Sequence, residues 1–194
     1  MGRKLEFDYD RALERATRVF WAKGYVSASM RDLLKAMGVG EGSFYHLFGS
    51  KKRLYLECLK HYNGKVIRRR VEALTSEPSV RNGVRAFFRA LLDELDNPRT
   101  PRICLLAQSL SSEVMEESGL EGYVKEQMAG FEKVFTDQLR RASQSGELPP
   151  HFPAEATAEV IVTYVQGFFR VVRVLKNRKQ MWQQIETLLK GLGL

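Results

Sequence analysis

Two short segments with the helical period, 29–36 and 40–47, stand either side of Gly38 and constrain the fold more than any other feature of this chain. Gly38 ends the first segment, and the second begins almost at once. This is a helix-turn-helix pattern, with 29–36 as the supporting helix and 40–47 as the reading helix. The two helices pack nearly at right angles, so the turn needs a small residue. The inner faces must be apolar, and Leu33, Leu34, Val39, Phe44 and Phe48 supply them. Ser29, with Asp32 three residues on, reads as a variant capping box. The outer face of the second helix is left with Glu41, Gly42, Ser43, Tyr45 and His46. These groups can donate to phosphates and reach base edges in a major groove.

The rest of the chain repeats the helical period and has no sustained strand alternation. A first helix is expected from Asp8, with Phe7 as a staple before it and Leu13, Ala16, Val19 and Phe20 as its stripe. It should end at Lys23-Gly24. A long fourth helix should start at Lys51, carry Tyr55, Cys58, Leu59, Tyr62 and Val66 on one face, and finish before Pro78. Helices follow at 80–95, 121–144, 154–176 and 178–190, with a broken stretch over 101–117. The expectation is an all-α chain of about nine helices. Residues 1–50 would form a three-helix head and 51–194 a helical body, with the fourth helix joining them without a hinge.

Charge follows the same division. Residues 1–70 hold 16 Lys and Arg against 7 Asp and Glu, a net of +9, whereas 71–194 hold 15 against 16, a net of −1. A basic head on a neutral body suits a polyanion partner. Arg68, Arg69 and Arg70 look like part of that basic run, but on one helix they point different ways, and a solvated face is the better reading. Two cysteines, Cys58 and Cys104, make no disulfide framework in 194 residues. The N-terminus has no apolar stretch of signal-peptide length, and Glu6 breaks the myristoylation pattern. No run approaches the roughly 20 apolar residues of a membrane span. The cytoplasm is the expected compartment.

The stretches Gly24-Tyr25, Ser29-Met30-Arg31-Asp32-Leu33, Gly38 through Phe48, and Ser50-Lys51-Lys52-Arg53-Leu54 closely resemble the N-terminal domain of the TetR family, in order and in spacing over residues 8–60. The resemblance implies a ligand-responsive repressor that is a homodimer on palindromic operator DNA. It implies that Ser29, Arg31, Tyr45 and Lys51 contact phosphate, that Gly42 permits close backbone approach, and that Ser43 and His46 stand at base or phosphate contacts. Gly40-Glu41 departs from the small-then-basic pair often found at the head of the reading helix. Glu41 would repel phosphate but can accept from cytosine N4.

For the body, the resemblance implies that the last two helices pair with their symmetry mates. Residues 154–176 are apolar on most sides and so need cover on all of them. Val165, Phe169, Val172, Trp182, Ile185 and Leu189 are the expected interface. Phe87, Phe88, Leu91, Cys104, Leu105, Met115, Met128, Phe131, Phe135, Tyr164 and Phe168 come from helices that enclose the family's ligand cavity, and each reads equally as plain core. Their aromatic and methionine character favours an apolar effector. Cys104 has two readings: a small buried hydrophobe, or a sensing thiol activated by Arg99 and Arg102, as in repressors that resemble the N-ethylmaleimide-responsive type.

Other function classes fit less well. His46, His61 and His151 are scattered and make no metal cluster, and no nucleophile elbow, phosphate loop or dinucleotide fingerprint is present. No enzyme activity, cofactor or metal is therefore expected. A purely structural interaction protein would not need the basic head or the polar face at 41–46.

Overall fold

Asp8 opens α1 (Tyr9–Ser27) by accepting the Arg11 N–H at 2.9 Å, which satisfies a donor without a partner in the first turn. The computed structural model describes residues 8–175 and 177–194, so the expected staple, Phe7, lies outside the described residues. Leu13, Ala16 and Phe20 are buried along one stripe, joined by Ala12 and Trp21. Gly24 takes the expected positive φ of +80°, but the chain kinks there and stays helical to Ser27.

Helices α2 (Met30–Met37) and α3 (Glu41–Phe48) follow, and then α4 (Lys51–Tyr62). The expected single fourth helix runs on through a π-helical turn, Asn63–Ile67, into α5 (Arg68–Thr75). A π turn holds one residue more than an α turn, so every later position rotates by about 100°. Simple continuation from Tyr62 would bury positions 66, 69 and 73. The structure instead half-buries Val66 and buries Arg70 and Leu74. Arg68 and Arg69 are solvated as expected, but Arg70 is inside, at 2% exposure.

Arg70 is buried as an ion pair. Its guanidinium donates to both Glu94 oxygens at 2.8 Å and lies over the Phe169 ring. Glu94 belongs to α6 (Val80–Asp96), which crosses α5 so closely that a Cβ at Gly83 would run into the Leu74 carbonyl oxygen. The broken stretch resolves into α7 (Leu105–Gln108) and α8 (Ser112–Met115). It is followed by α9 (Leu120–Gln144), α10 (Ala154–Val171) and α11 (Arg178–Gly191). Helix α10 gives way to a turn at 172–174, before the expected end at 176. Among the described residues the regular structure is helical throughout, and no helix is long and apolar enough to cross a membrane.

Head and body meet along a buried seam. The Trp21 indole N–H donates to the Ile103 carbonyl, and the ring packs edge-on against Tyr62 at 4.9 Å. Tyr55 shares a hydrogen bond with Ser109 at 2.8 Å. These contacts tie α1 and α4 to the chain around α7.

Candidate nucleic-acid interface

Helix α2 starts with the capping box expected from its sequence. Ser29 Oγ accepts the Asp32 N–H at 3.1 Å, and the Asp32 carboxylate accepts the Ser29 N–H at 3.2 Å and its hydroxyl at 2.7 Å. Lys23 adds an ion pair at 2.8 Å. Lys23 and then Ser29 hold the Asp32 pKa down at about 2. Gly38 closes the helix at φ +72°, a left-handed conformation that costs glycine nothing.

Helix α3 starts at Gly40, which offers no side-chain cap. The N–H groups of its first turn are left to solvent or to a partner, at the positive end of the helix. Phe44 and Phe48 are buried and anchor α3, with ring centroids 5.8 Å apart. Glu41, Gly42, Ser43, Tyr45 and His46 are all exposed. Nothing lies within 4 Å of a Cβ placed on Gly42, so its backbone is open to close approach. Tyr45 is 51% exposed and braced edge-on by Phe44 at 5.2 Å, which points a rigid phenol outward. Ser29 and Arg31 are exposed beside this face. The sequence reading missed Leu47, which is 38% exposed.

Lys51 makes contacts within the head. Its ammonium donates to the Val26 carbonyl at 3.2 Å and lies 4.9 Å from the centre of the Tyr25 ring, and burial lowers its pKa. The lysine ties the end of α1 to the start of α4.

In the body, the aromatic residues expected around a cavity pack against one another. Phe87 lies 5.1 Å from Phe135 and 5.5 Å from Phe131, and Phe88 meets Tyr164 at 6.0 Å. Phe87, Phe88, Leu91, Leu105, Phe131, Phe135 and Phe168 are buried, while Met115, Met128 and Tyr164 are half-buried. Tyr164 keeps a buried hydroxyl with no hydrogen-bond partner among the described residues. Cys104 is 3% exposed, and its charged neighbour is Arg70 at 3.8 Å, not Arg99 or Arg102. Arg102 donates to the Leu175 carbonyl at 3.1 Å. The Tyr62 hydroxyl also reaches the Cys104 sulfur at 3.5 Å, and burial, the largest of several causes, raises the Tyr62 pKa well above its ordinary value.

The expected dimer residues lie mostly inside the protomer. Val165, Phe169, Val172, Ile185 and Leu189 are buried within one protomer, so they cannot reach a second copy in this conformation; Trp182 alone of the six is half-buried. The reason is that a helix apolar all round does not declare which side meets its own core. The apolar surface left on and just after α10 is Val160, Val171 and Val174 at 44%, 46% and 77% exposure, with Gly167 also exposed.

Family models place this geometry. The model described as bacterial regulatory proteins, tetR family, matches residues 12–58, and a tetracyclin repressor-like C-terminal domain matches 81–188. The chain belongs to the TetR family. It is 32% identical over 148 residues to an uncharacterized HTH-type transcriptional regulator of Bacillus subtilis, YezE, with 76% of each chain covered. It is 25% identical over 190 residues to the Escherichia coli repressor ComR, covering 97% of this chain and 90% of that one. Among solved structures it superposes with a TM-score of 0.89 and 30% identity on a cysteine-substituted form of the TetR-family regulator CifR, solved with 26-bp operator DNA, covering 97% of this chain and 98% of CifR. This TetR-family chain is accordingly a transcriptional regulator and not an enzyme, and among the described residues no group of His, Cys, Asp and Glu is placed to hold a metal.

Proposed function

We propose that this chain is a cytoplasmic, homodimeric repressor that binds palindromic operator DNA through α3 and releases it when a small effector occupies the body. Residues 1–50 carry the DNA contacts, and 51–194 carry sensing and dimerisation. The observation that carries the reading is the exposed face from Glu41 to His46, built on the uncapped first turn of α3 and anchored by buried Phe44 and Phe48. Tyr45 and Arg31 contact phosphate, and Ser29 does so beside its capping bonds. Gly42 and Ser43 take the close backbone approach, and Glu41 and His46 read base edges. Lys51 ties the start of α4 to the end of α1 and adds its ammonium to the phosphate contacts. A C2 dimer formed through Val160, Gly167, Val171, Val174 and Trp182 would set the two reading helices about 34–36 Å apart. A gel shift on the DNA upstream of the chain's own gene tests the reading. Specific retardation that weakens steeply with salt supports it, and equal binding to every sequence contradicts it.

For the effector, the closed cluster of Phe87, Phe131 and Phe135 must open to admit an apolar molecule, and the orphan Tyr164 hydroxyl is the polar group such a molecule could meet. The contacts of Cys104 with Tyr62 and Arg70 favour a second reading, in which an electrophile adds to the sulfur. A group bonded there would displace Tyr62 and with it α4. On this reading an electrophile releases DNA from the wild type and from Cys58→Ser but not from Cys104→Ser. Release from all three discards the thiol route.

A further inference from the structure

We infer that the cleft between α1, the π turn and α6 is a binding site for a small aromatic or otherwise apolar monocarboxylate, and that this ligand is one to which the regulator responds. The inference rests on the reading above as a DNA-releasing regulator and adds a place and a chemistry to it.

Two adjoining cavities of about 390 Å³ and 300 Å³ share Trp21, Val66, Asn97 and Thr100 in their walls. Together they fall within the size range of small-molecule sites. The apolar surface comes from Trp21, whose indole is held in place by its bond to the Ile103 carbonyl, and from Val66 in the π turn. A planar or apolar ligand body fits against that surface.

The rim is cationic. Arg69 and Arg99 are exposed at the rims of the two cavities, and among the described residues no acid pairs with either. The acids of the cleft are already engaged. Glu14 serves Lys65 at 2.8 Å and Arg18 at 3.0 Å, Glu94 serves Arg70, and Asp93 serves Arg178 at 2.6 Å. A carboxylate entering either cavity therefore meets an unpaired guanidinium at its rim and no unpaired acid. A guanidinium recognises a carboxylate through paired hydrogen bonds, which a neutral amide cannot reproduce.

Position supplies the response. The walls belong to the head through α1, to the connecting helix through the π turn, and to the body through α6. A ligand wedged there pushes Trp21 and Val66 apart. It thereby changes the angle between head and body at the point where the helix register already departs from α geometry.

The probes are phenylacetate and its neutral isostere phenylacetamide, with full-length protein whose operator binding has first been measured. In a Trp182→Phe background Trp21 is the only tryptophan left, and its emission reports occupancy without DNA. The expected result is saturable quenching by phenylacetate, about tenfold weaker quenching by phenylacetamide, and about tenfold loss of phenylacetate affinity in the Arg69→Ala/Arg99→Ala variant, in keeping with one lost charge-assisted contact. Phenylacetate should also release operator DNA from the wild type, and the arginine variant should need about ten times more of it. If operator binding is intact and phenylacetate neither quenches Trp21 nor releases DNA, the cleft is not a ligand site. Equal affinity for acid and amide, or an arginine variant that binds as the wild type does, also overturns the carboxylate assignment. Absence of operator binding in the untreated protein would instead contradict the repressor reading.

Discussion

The Arg70 guanidinium donates to both carboxylate oxygens of Glu94 at 2.8 Å, with the arginine 2% exposed, and so joins α5 to α6. Burial works against the charge on Arg70, but the surrounding Tyr62, Cys104 and Glu94 more than offset it, and its pKa is raised. Removing one partner strands the other. Glu94→Ala should cost about 3–5 kcal/mol in urea unfolding, whereas Arg70→Met/Glu94→Leu should recover most of that loss. A double variant no more stable than Glu94→Ala would show that the pair contributes by more than mutual compensation.

Two glycines should respond oppositely to alanine. At Gly83 the added methyl meets the backbone of Leu74, which cannot move aside as a side chain would. Gly83→Ala should destabilise by about 1–3 kcal/mol through forced separation of α5 and α6. Gly64 in the π turn has nothing within 4 Å of a built Cβ. Gly64→Ala should be neutral or stabilise by about 0.5–1 kcal/mol, since the unfolded chain loses more freedom than the folded one. Thermal melts of the two variants check both signs.

Acid should loosen the head through Asp32. Its pKa falls from an ordinary 3.8 to about 2 because Lys23 and Ser29 bind its charged form. A depressed carboxylate adds stability that is complete above its unfolded pKa and is lost as pH falls through the folded one. The contribution should therefore disappear between about pH 4 and pH 2. Asp32→Asn should lower the melting temperature at pH 7 and flatten the acid limb of the curve. An acid limb identical to that of the wild type would assign the loss to other carboxylates.

The dimer face can be separated from the core by charge. Val171→Glu or Gly167→Arg should give a folded monomer, because both positions lie on the exposed side of α10. A charge at Phe169, at 0% exposure, should unfold the protein instead. Light scattering and circular dichroism distinguish the outcomes. A dimer retained in both surface variants would move the interface off this face.

The sequence was most legible where local chemistry decides structure. The capping box of Ser29 and Asp32, the left-handed Gly38 and the anchors Phe44 and Phe48 are set within a few residues of one another, and each takes its expected place. Arg70 was illegible because its burial depends on one extra residue in the π turn, which shifts the register of everything after it. The side of α10 that meets its own core was illegible for a different reason. Periodicity shows that α10 is apolar on many sides, but only the packed protomer shows that Phe169 and Val165 face inward and Val160 and Val171 outward. Lys51 matches the family pattern in type and position, yet its orientation depends on Tyr25 and Val26, about 25 residues earlier in the chain.

The central claim is that the outer face of α3 reads operator DNA, and it is tested most directly by fluorescence anisotropy on an operator fragment over a range of salt concentrations. Wild type, Tyr45→Ala and Arg31→Ala are compared, with helix content checked by circular dichroism. Tyr45→Ala should weaken binding to operator and to unrelated DNA alike. Arg31→Ala should also reduce the slope of log affinity against log salt by about one. Operator affinity unchanged in Tyr45→Ala, with the fold intact, would contradict the account.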